Sequence, residues 1–130
     1  MRLLLDTHAL LWWLDGDERL SLAARDAIGD ETNPVLVSAA SAWEIAAKVR
    51  LGKLPGAVEV AERISEVLAM QGFTALAISV DHARRAGLLP GPQRDPFDRM
   101  LIAQAQAENL ILVSNETLFD RYGVRRLWEL

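Results

Sequence analysis

A chain of 130 residues, 51% hydrophobic and 25% charged, has the length of one domain and enough apolar content to bury a core without covalent staples. It contains no cysteine, which excludes disulfides and thiolate metal sites and leaves oxygen ligands, or His8 and His82, to hold any metal. The net charge of −4 argues against a domain that grips nucleic acid chiefly by neutralising phosphates, unless bound divalent cations concentrate positive charge in one place.

The opening run Met1-Arg2-Leu3-Leu4-Leu5 resembles the start of a secretory leader, but Asp6 and His8 interrupt it before it reaches the required length. No other stretch approaches the roughly 20 apolar residues of a membrane span, so the expectation is a cytoplasmic protein without membrane contact. The same run predicts a buried strand over 2–5. Asp6 would then emerge at the strand's carboxyl end, where open parallel sheets bind ligands. A helix over 8–14 comes next, and its Leu10-Leu11-Trp12-Trp13-Leu14 carries more apolar surface than one stripe absorbs. Trp12 and Trp13 point about 100° apart, so one of them is expected to face a partner. Ser21 is an N-cap for a helix over 22–28, and a strand over 34–37 leads to a third helix, ended by Gly52 and Pro55. Helical spacing sets Glu44 on one face of it with Ala40, Ala47 and Leu51.

In the next segment Ala57, Val60, Ala61, Ile64, Val67 and Leu68 follow the i, i+3, i+4, i+7 pattern of one amphipathic helix, stopped by Gly72. A strand over 74–78 and a helix from Ser79 to Leu88, with His82 expected at the surface, lead into the loop Pro90-Gly91-Pro92-Gln93-Arg94. Asp95-Pro96-Phe97-Asp98 then opens a helix to about Glu108, with Asp95 as N-cap, Pro96 at the first helical position and Asp98 on a face with Leu101, Ile102 and Ala105. A strand over 110–114 ends near Glu116, which mirrors Asp6 and opens a terminal helical stretch, with Asp120 as a reserve acid one turn on; a last strand is predicted over 124–128. Strands alternating with helices from end to end predict an α/β domain over 1–130, a parallel sheet covered on both faces.

Each acid also has an ordinary reading. Asp98 favours the positive end of its helix, Glu44 pairs with Lys48 at i+4, Asp6 caps the following helix, and Glu116 merely opens one. These readings explain the residues singly but not their joint placement at strand ends and on inward helix faces. A lone buried carboxylate costs several kcal/mol unless paired or metal-bound. Carboxylates without cysteine or histidine favour Mg2+ or Mn2+ over zinc.

Four landmarks stand in order along the whole chain: Leu4-Leu5-Asp6-Thr7-His8; Ser41-Ala42-Trp43-Glu44-Ile45; Asp95-Pro96-Phe97-Asp98-Arg99 with Ile102-Ala103; and Leu112-Val113-Ser114-Asn115-Glu116, leading to Phe119, Tyr122-Gly123-Val124 and Trp128. In these the sequence resembles the PIN-domain ribonucleases, in particular the VapC-type toxins of bacterial toxin–antitoxin pairs. The resemblance implies a three-layer α/β/α PIN-like fold with a parallel sheet of about five strands in the order 3-2-1-4-5. It implies that Asp6, Glu44 and Asp98 hold Mg2+ or Mn2+ and that Glu116 occupies the fourth acidic position, where the family often has aspartate. Whether one or two ions bind stays open. Thr7 and Ser114 match hydroxyl positions that orient carboxylates or waters. The implied activity is metal-dependent RNA hydrolysis by an activated water, and the implied partners are RNA, a small antitoxin and a second copy of the chain.

Cations for the RNA are expected from Lys48, Arg94 and Arg99, whereas Lys53, Arg84 and Arg85 read as solvated charge and Arg121, Arg125 and Arg126 as either. His8 is read as a helix-start residue rather than a general base. Two other classes compete. A PIN-like RNA- or protein-binding module that has lost catalysis would rest on the glutamate at 116. A receiver-type signalling domain would require adjacent acids after the first strand and a lysine after a late one, where this chain has Asp6-Thr7 and Ser114-Asn115.

Overall fold

The computed structural model describes residues 1–129. Strand β1 (Leu3–Leu5) lies at the centre of the sheet, with all three leucines fully buried. A strand covered on both faces needs apolar side chains at consecutive positions, which is why this run lacks a polar–apolar alternation. Leu3 and Leu5 pack on one side with Leu10, Val35, Val37, Ile45 and Leu68. Leu4 packs on the other with Leu36, Leu101, Ile102, Leu112 and Phe119. The two cores thus follow the alternation of side chains along a strand.

Helix α1 (Thr7–Asp15), helix α2 (Leu22–Gly29), strand β2 (Val35–Ser38) and helix α3 (Ala39–Arg50) succeed it in turn. Next come α4 (Val58–Glu62), α5 (Ile64–Gln71), β3 (Thr74–Leu76), α6 (Val80–Leu88), α7 (Pro96–Glu108), β4 (Ile111–Val113) and β5 (Arg126–Leu127). Every strand pairing is parallel and the order is β3-β2-β1-β4-β5, as expected. In register, Leu5 stands between Val37 and Val113. The chain adds β2 and β3 on one side of β1 and then crosses to add β4 and β5 on the other. The carboxyl ends of β1 and β4 therefore flank the point where the winding reverses, the place where such sheets hold ligands.

Three expectations change. The amphipathic segment expected as one helix is two, α4 and α5, broken at Arg63 with φ −124° and ψ 30°. Ala61, Ile64 and Leu68 nonetheless keep to the same core, so the period was right and only the continuity was not. The terminal helical stretch is a 3-10 helix, Thr117–Tyr122.

His82, expected at the surface, is 4% exposed. Its amide donates to the Ser79 hydroxyl, its Nδ1 accepts the Ser79 amide, and its Nε2 lies 2.8 Å from Glu108 Oε1. It closes a capping box at the start of α6, which burial within a polar sequence context conceals. Trp12 and Trp13 are both partly buried, Trp12 against His8 and Trp128, Trp13 against Phe73 with its Nε1 donating to Gln71. The tryptophan that stands in solvent is Trp43, 63% exposed, with Phe97 edge-on at 5.0 Å.

Candidate metal centre

Asp6 leaves the end of β1 with its side chain buried, and its Oδ1 accepts the Ala9 amide at 2.7 Å. It is thus the N-cap of α1 while its carboxylate remains at the sheet edge. Burial pushes its carboxyl above the ordinary value, opposed by the Ser114 hydroxyl, the Ala9 amide and the charge of His8, while Glu44 adds to the rise.

Glu44 comes from the buried face of α3 and is held at both oxygens. Thr7 Oγ1 donates to Oε1 at 2.6 Å, and Lys48 Nζ donates to Oε2 at 2.6 Å. Ser41 Oγ is 3.0 Å from Thr7 Oγ1. Thr7 has a single proton, and the shorter contact takes it, so Ser41 is left to donate to Thr7. The Lys48 pairing that the i+4 spacing predicts is therefore present, and it lies at the acidic edge rather than away from it.

Asp98 sits in the first turn of α7, half-buried, with its amide donating to Asp95 Oδ1 at 3.2 Å. Its carboxyl is pushed up to about 7, first by burial and then by the negative charges of Asp95, Glu44, Asp6 and Glu116. That sequence of causes places four acids within electrostatic reach of one carboxyl group. Glu116 is exposed, and its amide donates to the Ser114 hydroxyl at 3.0 Å, so Ser114 shapes the turn that presents it. Among the described residues no three acidic or histidine side chains are spaced as a ready-made cage. Glu44 is drawn onto Lys48 and Thr7 and Asp6 onto the Ala9 amide, so both carboxylates are held by their own neighbours rather than gathered into a cage. Their donor chemistry fits a hard divalent cation: oxygen only, mutually repelling and short of compensating charge.

The other expected residues divide. Arg94 is exposed, immediately before Asp95 in the chain. Arg99, expected to contact phosphate, is committed elsewhere. Its NH1 donates to the Gln93 carbonyl, its Nε and NH2 to the Ala86 carbonyl, and its NH2 also to the Leu89 carbonyl. A guanidinium with its donors spent on three carbonyls fastens a loop, and the sequence showed only its adjacency to Asp98. The reserve acid Asp120 pairs with Arg126 at 2.8 Å and 3.0 Å, which holds its carboxyl below the ordinary range and outside the cluster. Asp95 is the acid whose part the sequence reading missed. It was legible as a cap, and its spacing of three from Asp98 also places two like charges one turn apart.

The PIN domain family profile matches residues 3–125. The chain belongs to the PIN-domain family. Ribonuclease VapC16 of Mycobacterium tuberculosis is 45% identical to it over 62 residues, which cover 48% of this PIN domain chain and 43% of that protein. The match thus spans less than half the length of that curated relative. Among solved structures, VapBC2 from Rickettsia felis bound to a DNA fragment from their promoter superimposes with a TM-score of 0.74 at 17% identity, covering 99% of this chain and 100% of that one. VapBC from Salmonella typhimurium, also DNA-bound, gives 0.68 at 17% identity, covering 98% and 97%. A toxin–antitoxin complex from Klebsiella pneumoniae gives 0.61 at 23% identity, covering 88% and 86%. At these identities the likeness is one of fold, and it extends over the whole PIN sheet and its flanking helices.

Proposed function

We propose that this PIN domain is a Mg2+- or Mn2+-dependent endoribonuclease, the toxin component of a type II toxin–antitoxin pair acting in the cytoplasm. The observation that carries the reading is the placement of acids at the switch point of the sheet: Asp6 at the carboxyl end of β1, Glu44 hydrogen-bonded to Thr7 next to it, and half-buried Asp98 in the first turn of α7, which packs on α3 through Trp43 and Phe97. The 45% identity to a ribonuclease over 62 residues and the fold likeness to toxin–antitoxin assemblies support it. Among the described residues no helix is long and apolar enough to cross a membrane.

Asp6, Glu44 and Asp98 would hold the cation directly, with Glu116 contributing from the exposed turn. When bound there, the ion supplies a more acidic water and charge stabilisation at phosphorus. The protein's own side chains do the positioning. Thr7 and Lys48 fix both oxygens of Glu44, the Ala9 amide fixes one oxygen of Asp6, and Asp95 sets the first turn of the helix that carries Asp98. Water adds to phosphorus opposite the 3′ oxygen, the P–O3′ bond breaks, and the 3′ oxygen takes up a proton. The products carry 5′-phosphate and 3′-hydroxyl ends. An antitoxin and a second copy of the chain are its protein partners.

The test is cleavage of a mixed oligoribonucleotide pool by the purified protein with Mg2+ or Mn2+. Asp6→Asn and Asp98→Asn are each expected to lower turnover at least 100-fold while the variants stay folded by circular dichroism. Unchanged turnover in either folded variant refutes the assignment, and no cleavage by the parent protein in either ion favours a non-catalytic binding module.

A further inference from the structure

Gln93 is the residue whose surroundings ask for an explanation. It belongs to a loop whose Pro90, Gly91, Pro92 and Arg94 are all exposed, yet it is itself only 9% exposed. Its backbone is gripped on both sides: the amide donates to the Tyr122 hydroxyl at 2.8 Å, and the carbonyl accepts Arg99 NH1 at 2.8 Å. Its side chain is used at both ends. Oε1 accepts the Asp95 amide at 3.1 Å, and Nε2 donates to Asp98 Oδ2 at 3.4 Å.

The loop is built to permit this. Gly91 has φ +106°, and a Cβ there would stand 2.8 Å from the Tyr122 hydroxyl, so the chain passes over the tyrosine too closely for any other residue. Arg99 also ties down the end of α6, from which this loop departs, through the Ala86 and Leu89 carbonyls. Tyr122 and Arg99 thus converge on one loop residue from two elements, and that residue's amide group ends beside a carboxylate of the acidic cluster.

We propose that Gln93 is a positioning residue, a neutral donor that holds Oδ2 of Asp98 so that the other oxygen faces the cation, with Tyr122 and Arg99 fixing the loop that carries it. The proposal rests on the metal reading given above. A neutral amide suits the task better than a lysine or arginine would. A cation at that position would neutralise Asp98 and compete with the metal, whereas an amide restrains the carboxylate and leaves its charge available. Groups that orient a ligand without touching the metal typically change its affinity 10- to 100-fold when removed.

The test measures Mn2+ affinity by isothermal titration and by electron paramagnetic resonance, alongside melting in EDTA. Gln93→Met keeps the length and removes both polar ends; its Mn2+ affinity is expected to fall about tenfold, with a broadened bound spectrum and a folded circular dichroism signature. Tyr122→Phe, which loosens the loop without touching Asp98, is expected to lower affinity two- to threefold. Asp98→Asn serves as the reference for a lost ligand. Parent-like Mn2+ affinity in Gln93→Met, with Asp98→Asn weakened, overturns the positioning role and leaves the metal reading intact. A parent protein that binds no Mn2+ overturns both. If Gln93→Met does not fold, Tyr122→Phe decides, and parent-like affinity there overturns the proposal.

Discussion

Asp98 holds its proton to about pH 7 because burial and four neighbouring acids disfavour its charged form, and this sets the sign of a pH dependence. Its carboxyl in the unfolded chain titrates near 3.8, so between about pH 4 and pH 7 the folded protein holds a proton that the unfolded chain has released. Stability from this group is therefore greatest at the acid end of that window and falls as pH rises through it. Asp6, shifted in the same direction, adds to the slope. The carboxyls held low by ion pairs or local hydrogen bonds, those of Asp17, Asp30, Asp81 and Asp120, titrate below the window and do not cancel it. A divalent cation must displace the proton from Asp98 at low pH but finds a free carboxylate above pH 7. Scanning calorimetry should accordingly show little gain in Tm from saturating Mg2+ at pH 5.5 and a clear gain at pH 8. In EDTA the parent should melt lower at pH 8 than at pH 5.5, and Asp98→Asn should flatten both trends. An Mg2+ gain that is equal at the two pH values would contradict the cluster as the binding place.

At the scale of elements, the start of α7 sets helix stability against electrostatic strain. Asp95 Oδ1 accepts the amides of Phe97 at 2.8 Å and Asp98 at 3.2 Å, while its charge is the largest contribution from a neighbour to the raised carboxyl of Asp98. Asparagine caps about as well as aspartate, so the two effects are separable. In urea denaturation Asp95→Asn should lie within about 0.5 kcal/mol of the parent and Asp95→Ala should lose about 1 kcal/mol. Carbon-detected NMR should show the Asp98 titration falling in both. The sequence made this element legible, since Asp95, Pro96 and Asp98 are cap, first-position proline and first-turn acid in succession. It made the strands legible too, because a run buried on both faces, such as Leu3–Leu5, has no other use for three leucines. It concealed whatever depends on contacts distant in the chain. The break at Arg63 has no proline or glycine to announce it. The burial of His82 depends on Glu108, 26 residues away, and the inward position of Gln93 on Tyr122, 29 residues away. For the site, single residues were readable from their strand and helix positions. Their shared charge was not, because Asp98 feels Asp6, Glu44 and Glu116 only once β1, α3, α7 and the turn after β4 are brought to one edge.

For the whole molecule, the question is how a chain of net charge −4 holds a polyanion. Of its 14 lysines and arginines, nine bond to groups of the protein itself, Arg2, Arg25 and Arg125 among them. Arg19 pairs with Asp17, Arg84 and Arg85 with Asp81, Arg126 with Asp120 and Lys48 with Glu44. Arg99 is spent on carbonyls, which leaves Arg94 as the exposed cation expected next to the acids. On the proposed reading, RNA would then be held mainly at the divalent site and only weakly by counterion release elsewhere. For single strands the logarithm of affinity falls by about 0.7 per decade of salt for each phosphate neutralised. One or two such contacts give a slope of about −1. Measured as log(kcat/KM) for a cleaved oligoribonucleotide against log monovalent salt at saturating Mg2+, the dependence should be that shallow, and Arg94→Ala should flatten it further. A slope steeper than about −3 would mean a basic track of several residues and would move substrate recognition away from the acidic edge. A shallow slope combined with a steep dependence on Mg2+ is the behaviour of a protein whose attraction for phosphate resides in the bound cation rather than in its own surface.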